Sequence, residues 1–142
     1  MKLCVRAGAV LMALLVSSFC MAQDSNLKPA TEAAEQWLAV VDAGHYGQSW
    51  DQASSFFQSK ISKADWEKTA DQVLTPLGKV ESRQFKAADF ETKLPGAPEG
   101  KYCVIQFRTK FAVGGSMIET ITPMLEKNGG WRVSGYLIRP MD

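Results

Sequence analysis

Apolar residues recur along this chain with two different periods, and the change of period divides it. From Pro29 to Gly44, Ala30, Ala33, Ala34, Trp37, Val40 and Val41 follow helical spacing, with Glu32, Glu35 and Gln36 on the other side. Pro29 suits a first turn and Gly44 a stop. A second helix is expected from His45 onward, with Trp50, Ala53 and Phe57 on one stripe. A third opens at Ser62, whose hydroxyl and Asp65 three residues later have capping-box spacing. Trp66, Ala70, Val73 and Leu74 form its apolar stripe, and Pro76 and Gly78 end it.

Beyond Gly78 the period changes towards two. Lys79 to Glu91 carries Val80, Phe85 and Phe90, and the alternation falters at Ala87-Ala88, which predicts a bulged edge strand. A loop dense in turn residues follows, from Leu94 to Gly100. Three further strand-like runs lie between Tyr102 and Ile138, separated by Gly114-Gly115 and Asn128-Gly129. The expected fold is therefore α+β: three N-terminal helices packed on one face of a curved four-stranded antiparallel sheet.

Turn chemistry extends this to a register. With Gly114-Gly115 as a two-residue hairpin loop, Phe111 faces Ile118, Thr109 faces Thr120 and Phe107 faces Thr122. With Asn128-Gly129 as another, Met124 faces Val133, Thr122 faces Gly135 and Thr120 faces Leu137. The two loops agree on a core face of Cys103, Ile105, Phe107, Phe111, Ile118, Met124, Trp131, Val133 and Leu137. Pro123 falls in mid-strand, cannot donate a ladder hydrogen bond, and is left unexplained by this register.

Register decides which side chains can carry chemistry. Glu119, the one carboxylate that could serve as a general base in an isomerase- or hydrolase-like site, is expected on the outer face beside Lys110. Thr120, Thr122 and Gly135 are expected on the core face, where their small size leaves room. Phe107 and Trp50 would wall that hollow and Tyr46 would reach its rim, making these six residues the candidate ligand-binding set. The remaining outer face, with Val104, Ile121, Leu125, Tyr136 and Ile138, is apolar enough to suggest a homodimer contact.

Composition narrows the alternatives. The chain has 142 residues, 46% hydrophobic and 22% charged, which is ordinary for one globular domain. At the N-terminus Lys2 and Arg6 precede the uncharged run Ala7 to Val16, and Cys20-Met21-Ala22 has signal-peptidase spacing. The run is too short to cross a bilayer as a helix. Residues 1–22 are read as a cleaved signal peptide, 23–28 as a flexible lead and 29–142 as a single domain, in the periplasm or secreted. Lipid anchoring through Cys20 competes with cleavage, and Phe19 stands where that processing wants a small residue.

Removing Lys2 and Arg6 from the 16 basic residues leaves 14 against 15 acidic, so there is no basic excess to attract nucleic acid. The mature chain keeps only Cys103, which alternates with Ile105 and Phe107 as a buried apolar residue does. One histidine, His45, and no ligand-spaced carboxylates give no metal site, and no elbow or phosphate loop implies a catalytic set or cofactor.

Several pieces together resemble a bacterial family catalogued as domain of unknown function 4019. They are Ala43-Gly44-His45-Tyr46 with Ser49-Trp50, Pro76-Leu77-Gly78 with Arg83, Leu94-Pro95-Gly96, Glu119-Thr120, and Gly130-Trp131-Arg132-Val133-Ser134-Gly135-Tyr136. The resemblance spans roughly Ala30 to Ile138. One departure is Leu74-Thr75 before the Pro-Leu-Gly turn, where family members often carry an arginine. The resemblance implies a small exported bacterial protein without an assigned activity. More loosely, helices followed by a curved sheet resemble the cone-shaped fold of nuclear transport factor 2. Together these readings lead to an expected non-catalytic module that binds a small apolar ligand or an envelope protein partner, with the Glu119 enzyme as the alternative.

Overall fold

The computed structural model describes residues 25–142. Helix α1 (Leu27–Asp42) is followed by α2 (Tyr46–Gln52), α3 (Ser55–Lys60) and α4 (Lys63–Leu74), then a single 3-10 turn, Thr75–Leu77. Strands β1 (Val80–Glu91), β2 (Tyr102–Phe111), β3 (Gly115–Leu125) and β4 (Trp131–Pro140) form one antiparallel sheet in sequence order. The α+β class is as expected, with four helices in place of three.

The extra helix comes from a break at Ser54. Its backbone is extended, its amide donates to the Val133 carbonyl at 2.9 Å, and its hydroxyl accepts from the Phe57 amide at 3.1 Å. A strand contact and a helix cap thus meet on one residue and divide the stripe Trp50–Phe57 in two. Ser62 caps α4 as anticipated, accepting from the Asp65 amide and donating to the Asp65 carboxylate.

The helices cover one face of the sheet. Ala30, Ala34, Trp37, Leu38 and Val41 form the buried stripe of α1. Trp37 stands at the centre of a ring cluster, with centroids 5.7 Å from Trp66, 6.2 Å from Phe57 and 5.5 Å from Tyr136. Each indole N–H in the helical layer finds a partner as its ring is buried. Trp37 donates to the Ser49 carbonyl, Trp50 to the Ile61 carbonyl and Trp66 to the Ser49 hydroxyl. These bonds fix α2 against its neighbours although it is too short to be stable alone.

The first hairpin does not have the expected register. Phe111 pairs with Gly115, Thr109 with Met117, Phe107 with Glu119 and Ile105 with Ile121. The loop is the three residues 112–114, and Gly115 takes a positive φ of 73°. The cause lies outside the hairpin. The Val113 and Gly114 amides donate to the Leu77 carbonyl, and the Ala112 amide to the Lys79 carbonyl at 2.8 Å. Those amides are committed to the turn after α4, so they cannot close a tighter reversal. A Cβ on Gly114 would come within 2.4 Å of Leu77 Cδ2 and 3.3 Å of Leu77 Cα, so any larger residue would push the Leu77 side chain aside.

An offset of three residues is odd, so it turns β3 over relative to β2. Glu119 and Ile121 face the helices, 1% and 0% exposed, whereas Ile118 and Met124 face away.

In the second hairpin Thr122 pairs with Gly135 and Thr120 with Leu137 as expected, but Pro123 pairs with Val133 and Leu125 with Trp131. Ser134 is the extra residue of a bulge opposite Pro123, whose missing N–H interrupts the ladder at that point. The Ser134 hydroxyl donates to the Thr122 carbonyl at 2.7 Å. Because the bulge reverses facing, Trp131, Val133, Tyr136 and Ile138 all turn to the core side. Leu137 turns out and is 62% exposed.

The bulge anticipated in the edge strand lies between Phe85 and Ala87. Cys103 is fully buried.

Candidate functional site

Residues on five elements converge at one end of the sheet's inner face. Arg83 and Thr109 are directly paired on β1 and β2, and Glu119 lies on β3 opposite Ile138 of β4. Tyr136 reaches the group from two positions along β4. Asp42 closes it from the last residue of α1.

Glu119 is the hub. Arg83 Nε donates to its Oε1 at 2.9 Å, Thr109 Oγ1 donates to the same oxygen, and Tyr136 OH donates to Oε2 at 2.6 Å. Arg83 also grips Asp42 from both ends of its fork. Nη1 reaches Oδ2 at 2.7 Å and Nη2 reaches Oδ1 at 3.0 Å. The guanidinium therefore spans two carboxylates, one buried and one part-exposed.

The electrostatics follow from burial and pairing. Burial works against the charge on Arg83, yet the hydrogen bonds and attraction of Asp42 and Glu119 hold its pKa above the ordinary arginine value. Burial, reinforced by the neighbouring Glu119 charge, pushes the Tyr136 phenol well above its usual range, so it remains a proton donor to Glu119. Among the described residues, no buried side-chain nitrogen or oxygen lacks a hydrogen-bond partner.

A cavity of about 240 Å³ opens beside this network. Val41 and Asp42 of α1, Tyr46 of α2, and Leu74 and Thr75 at the end of α4 form its helical wall. Gly78, Lys79 and Val80 form its lip, and Phe111, Glu119 and Tyr136 its floor. The lip is held where the β2–β3 loop docks onto Leu77 and Lys79. One contact therefore sets both the sidedness of Glu119 and the opening beside it.

The sequence-based site residues scatter. Tyr46 lines the cavity, its hydroxyl 3.2 Å from Thr75 Oγ1. Trp50 packs against the helical core. Phe107 is buried under an edge-to-face contact with Phe85. Thr120, Thr122 and Gly135 lie on the opposite face of the sheet from the cavity, because the three-residue loop turned β3 over and the β3–β4 pairing carried Gly135 with it.

Glu119 likewise departs from expectation. Lys110 pairs with Glu81 at 3.2 Å, and Glu119 faces inward. The expected outer-face patch is corrected too, since Ile121 is fully buried and Tyr136 and Ile138 pack against the core.

Arg83, Asp42, Thr109 and Tyr136 were not singled out as site residues. One signal for Tyr136 was legible: apolar positions at 131, 133, 136 and 138 change parity, as a bulge requires. Arg83 and Asp42 had no comparable signal, because a mid-strand arginine and a helix-terminal aspartate both suit solvent.

Four helices laid on one face of an open antiparallel sheet, with a carboxylate–guanidinium network at one end, define the class of module. Residues 33–136 match the family model described as a protein of unknown function, DUF4019, and the chain belongs to that family. No curated protein matches the chain. No helix among the described residues is long and apolar enough to cross a membrane.

Proposed function

We propose that this chain is a non-catalytic module that binds a small ligand in the cavity beside Glu119, outside the cytoplasm after removal of its leader. The observation that carries the reading is the state of Glu119. It lies on the cavity wall, but three donors already occupy it and a guanidinium balances its charge. A general base must be free to swing towards a substrate proton, and bonds on both oxygens pin this carboxylate in place. Glu119 is instead held as a fixed acceptor, which suits recognition. Carboxylates and hydroxyls on the wall favour a ligand with polar groups over the purely apolar one expected from sequence.

A thermal-shift screen of the chain against small polar metabolites tests this. A ligand at 100 times its dissociation constant adds about 2.7 kcal/mol to stability. The shift should vanish in Leu74→Trp, which fills the cavity from α4. A hit that stabilises Leu74→Trp equally binds elsewhere and counts against the reading. Export is supported by the basic, apolar and small-residue order of residues 1–22, which lie outside the described residues. Mass spectrometry of the protein recovered from cells should give a chain beginning at Gln23.

The alternative, an isomerase- or hydrolase-like enzyme, is favoured by one observation: Glu119 and the Tyr136 hydroxyl share the cavity floor. Turnover of a bound ligand that disappears in Glu119→Gln with binding retained would establish it.

A further inference from the structure

We propose that the ligand of this cavity is a small cationic amine; the inference rests on the binding reading above and names the chemistry it takes. The hydroxyl protons on the wall are already committed. Thr75 has one hydroxyl proton, and Thr75 Oγ1 donates it to Asp71 Oδ1 at 2.7 Å. The 3.2 Å contact between Tyr46 and Thr75 is therefore donated by Tyr46, which spends that proton as well. Tyr136 gives its proton to Glu119 Oε2. All three wall hydroxyls have exhausted their donors and can only accept.

The carboxylates have acceptor capacity to spare. Asp42 takes one Arg83 bond on each oxygen, and Glu119 Oε2 takes only the Tyr136 bond, so each retains open lone-pair sites. Two carboxylates against one guanidinium leave a net negative charge at the floor. Lys79 is the one cationic wall residue, and it is exposed at the lip.

A ligand entering here must bring donors and gains most from a positive charge. An ammonium has three donors and no acceptor, while Val41, Leu74 and Phe111 offer an apolar side to a short alkyl chain. An anion would meet acceptors and no free hydroxyl proton along the wall, and only Lys79 at the lip would offer it a charge.

The test is a titration of the full chain with n-butylamine, n-butanol and butyrate, three probes of similar shape, followed by amide shifts at residues 75–80 and Tyr136. Butylamine is expected to bind about ten-fold or more tightly than either of the others, the margin of a charge-assisted over a neutral hydrogen bond. Removing the competing cation in Lys79→Gln should tighten butylamine binding by about two- to five-fold and leave butanol unchanged. Butanol or butyrate binding as tightly as butylamine would overturn the amine assignment and leave the binding reading intact. Shifts from none of the three at these residues would overturn both.

Discussion

The inner face of the sheet has two ends that solve burial in opposite ways. Around Cys103, Ile105, Val133 and Trp37 it is apolar, and packing is non-directional. Around Thr109, Glu119, Arg83 and Tyr136 it is polar and borders the cavity, and every buried group there is directional and needs a named partner. The difference teaches where strain falls when a residue is lost. The apolar end loses contacts in proportion to the volume removed. The polar end loses a partner and leaves the rest unpaid, because a buried charge without its counterpart costs more than the pair gained.

The largest expected effect is at the polar end. Glu119→Ala strands Thr109 and Tyr136 and removes one anchor of Arg83, so chemical denaturation should show a loss of about 3–5 kcal/mol. Ile105→Ala at the apolar end should cost about 3 kcal/mol by the same measurement, through transfer and cavity terms alone. The ends separate in a second step. Glu119→Leu combined with Arg83→Met, Thr109→Val and Tyr136→Phe should recover most of the polar-end loss, since replacing a whole buried polar network by apolar groups of similar size is often neutral. If the fourfold substitution stays as unstable as Glu119→Ala, the comparison fails.

Tyr136→Phe should cost about 1–2 kcal/mol, because Glu119 keeps two of its three donors. It should also change the alkaline limb of stability. The folded-state pKa of Tyr136 is raised, so its contribution is complete below the unfolded tyrosine value of about 10 and is lost as pH rises through the higher folded value. Wild-type stability should therefore fall as pH climbs above about 10, and Tyr136→Phe should fall less steeply. Tyr102, also raised by burial, retains its share of the slope in both proteins. The smallest effect is expected from Asp42→Asn, about 0.5–1 kcal/mol, because that ion pair is part-exposed to solvent.

Legibility from sequence followed the range of the interaction involved. Trp66, Ala70 and Leu74 of the α4 stripe, the Ser62 cap and the bulged β1 strand were readable, since each depends on residues a few positions apart, whereas Val73 of the same stripe is 44% exposed. The facing of Glu119 was not, because Gly114-Gly115 permits a two-residue or a three-residue reversal and nothing within the hairpin chooses between them. The choice is made by Leu77 and Lys79, some thirty-five residues earlier, whose carbonyls capture the loop amides. Pro123 signalled a broken ladder, and the bulge at Ser134 is the form that break takes.

By itself, the sequence determined the α+β class, the antiparallel order and the helical stripes, because local period and turn chemistry encode those. Only the tertiary structure decided which face of β3 meets the helices. An odd offset reverses every side chain on a strand, and a distant carbonyl pair fixed that offset. The same contact turned Glu119 from a solvent-facing residue into the buried hub of the cavity wall.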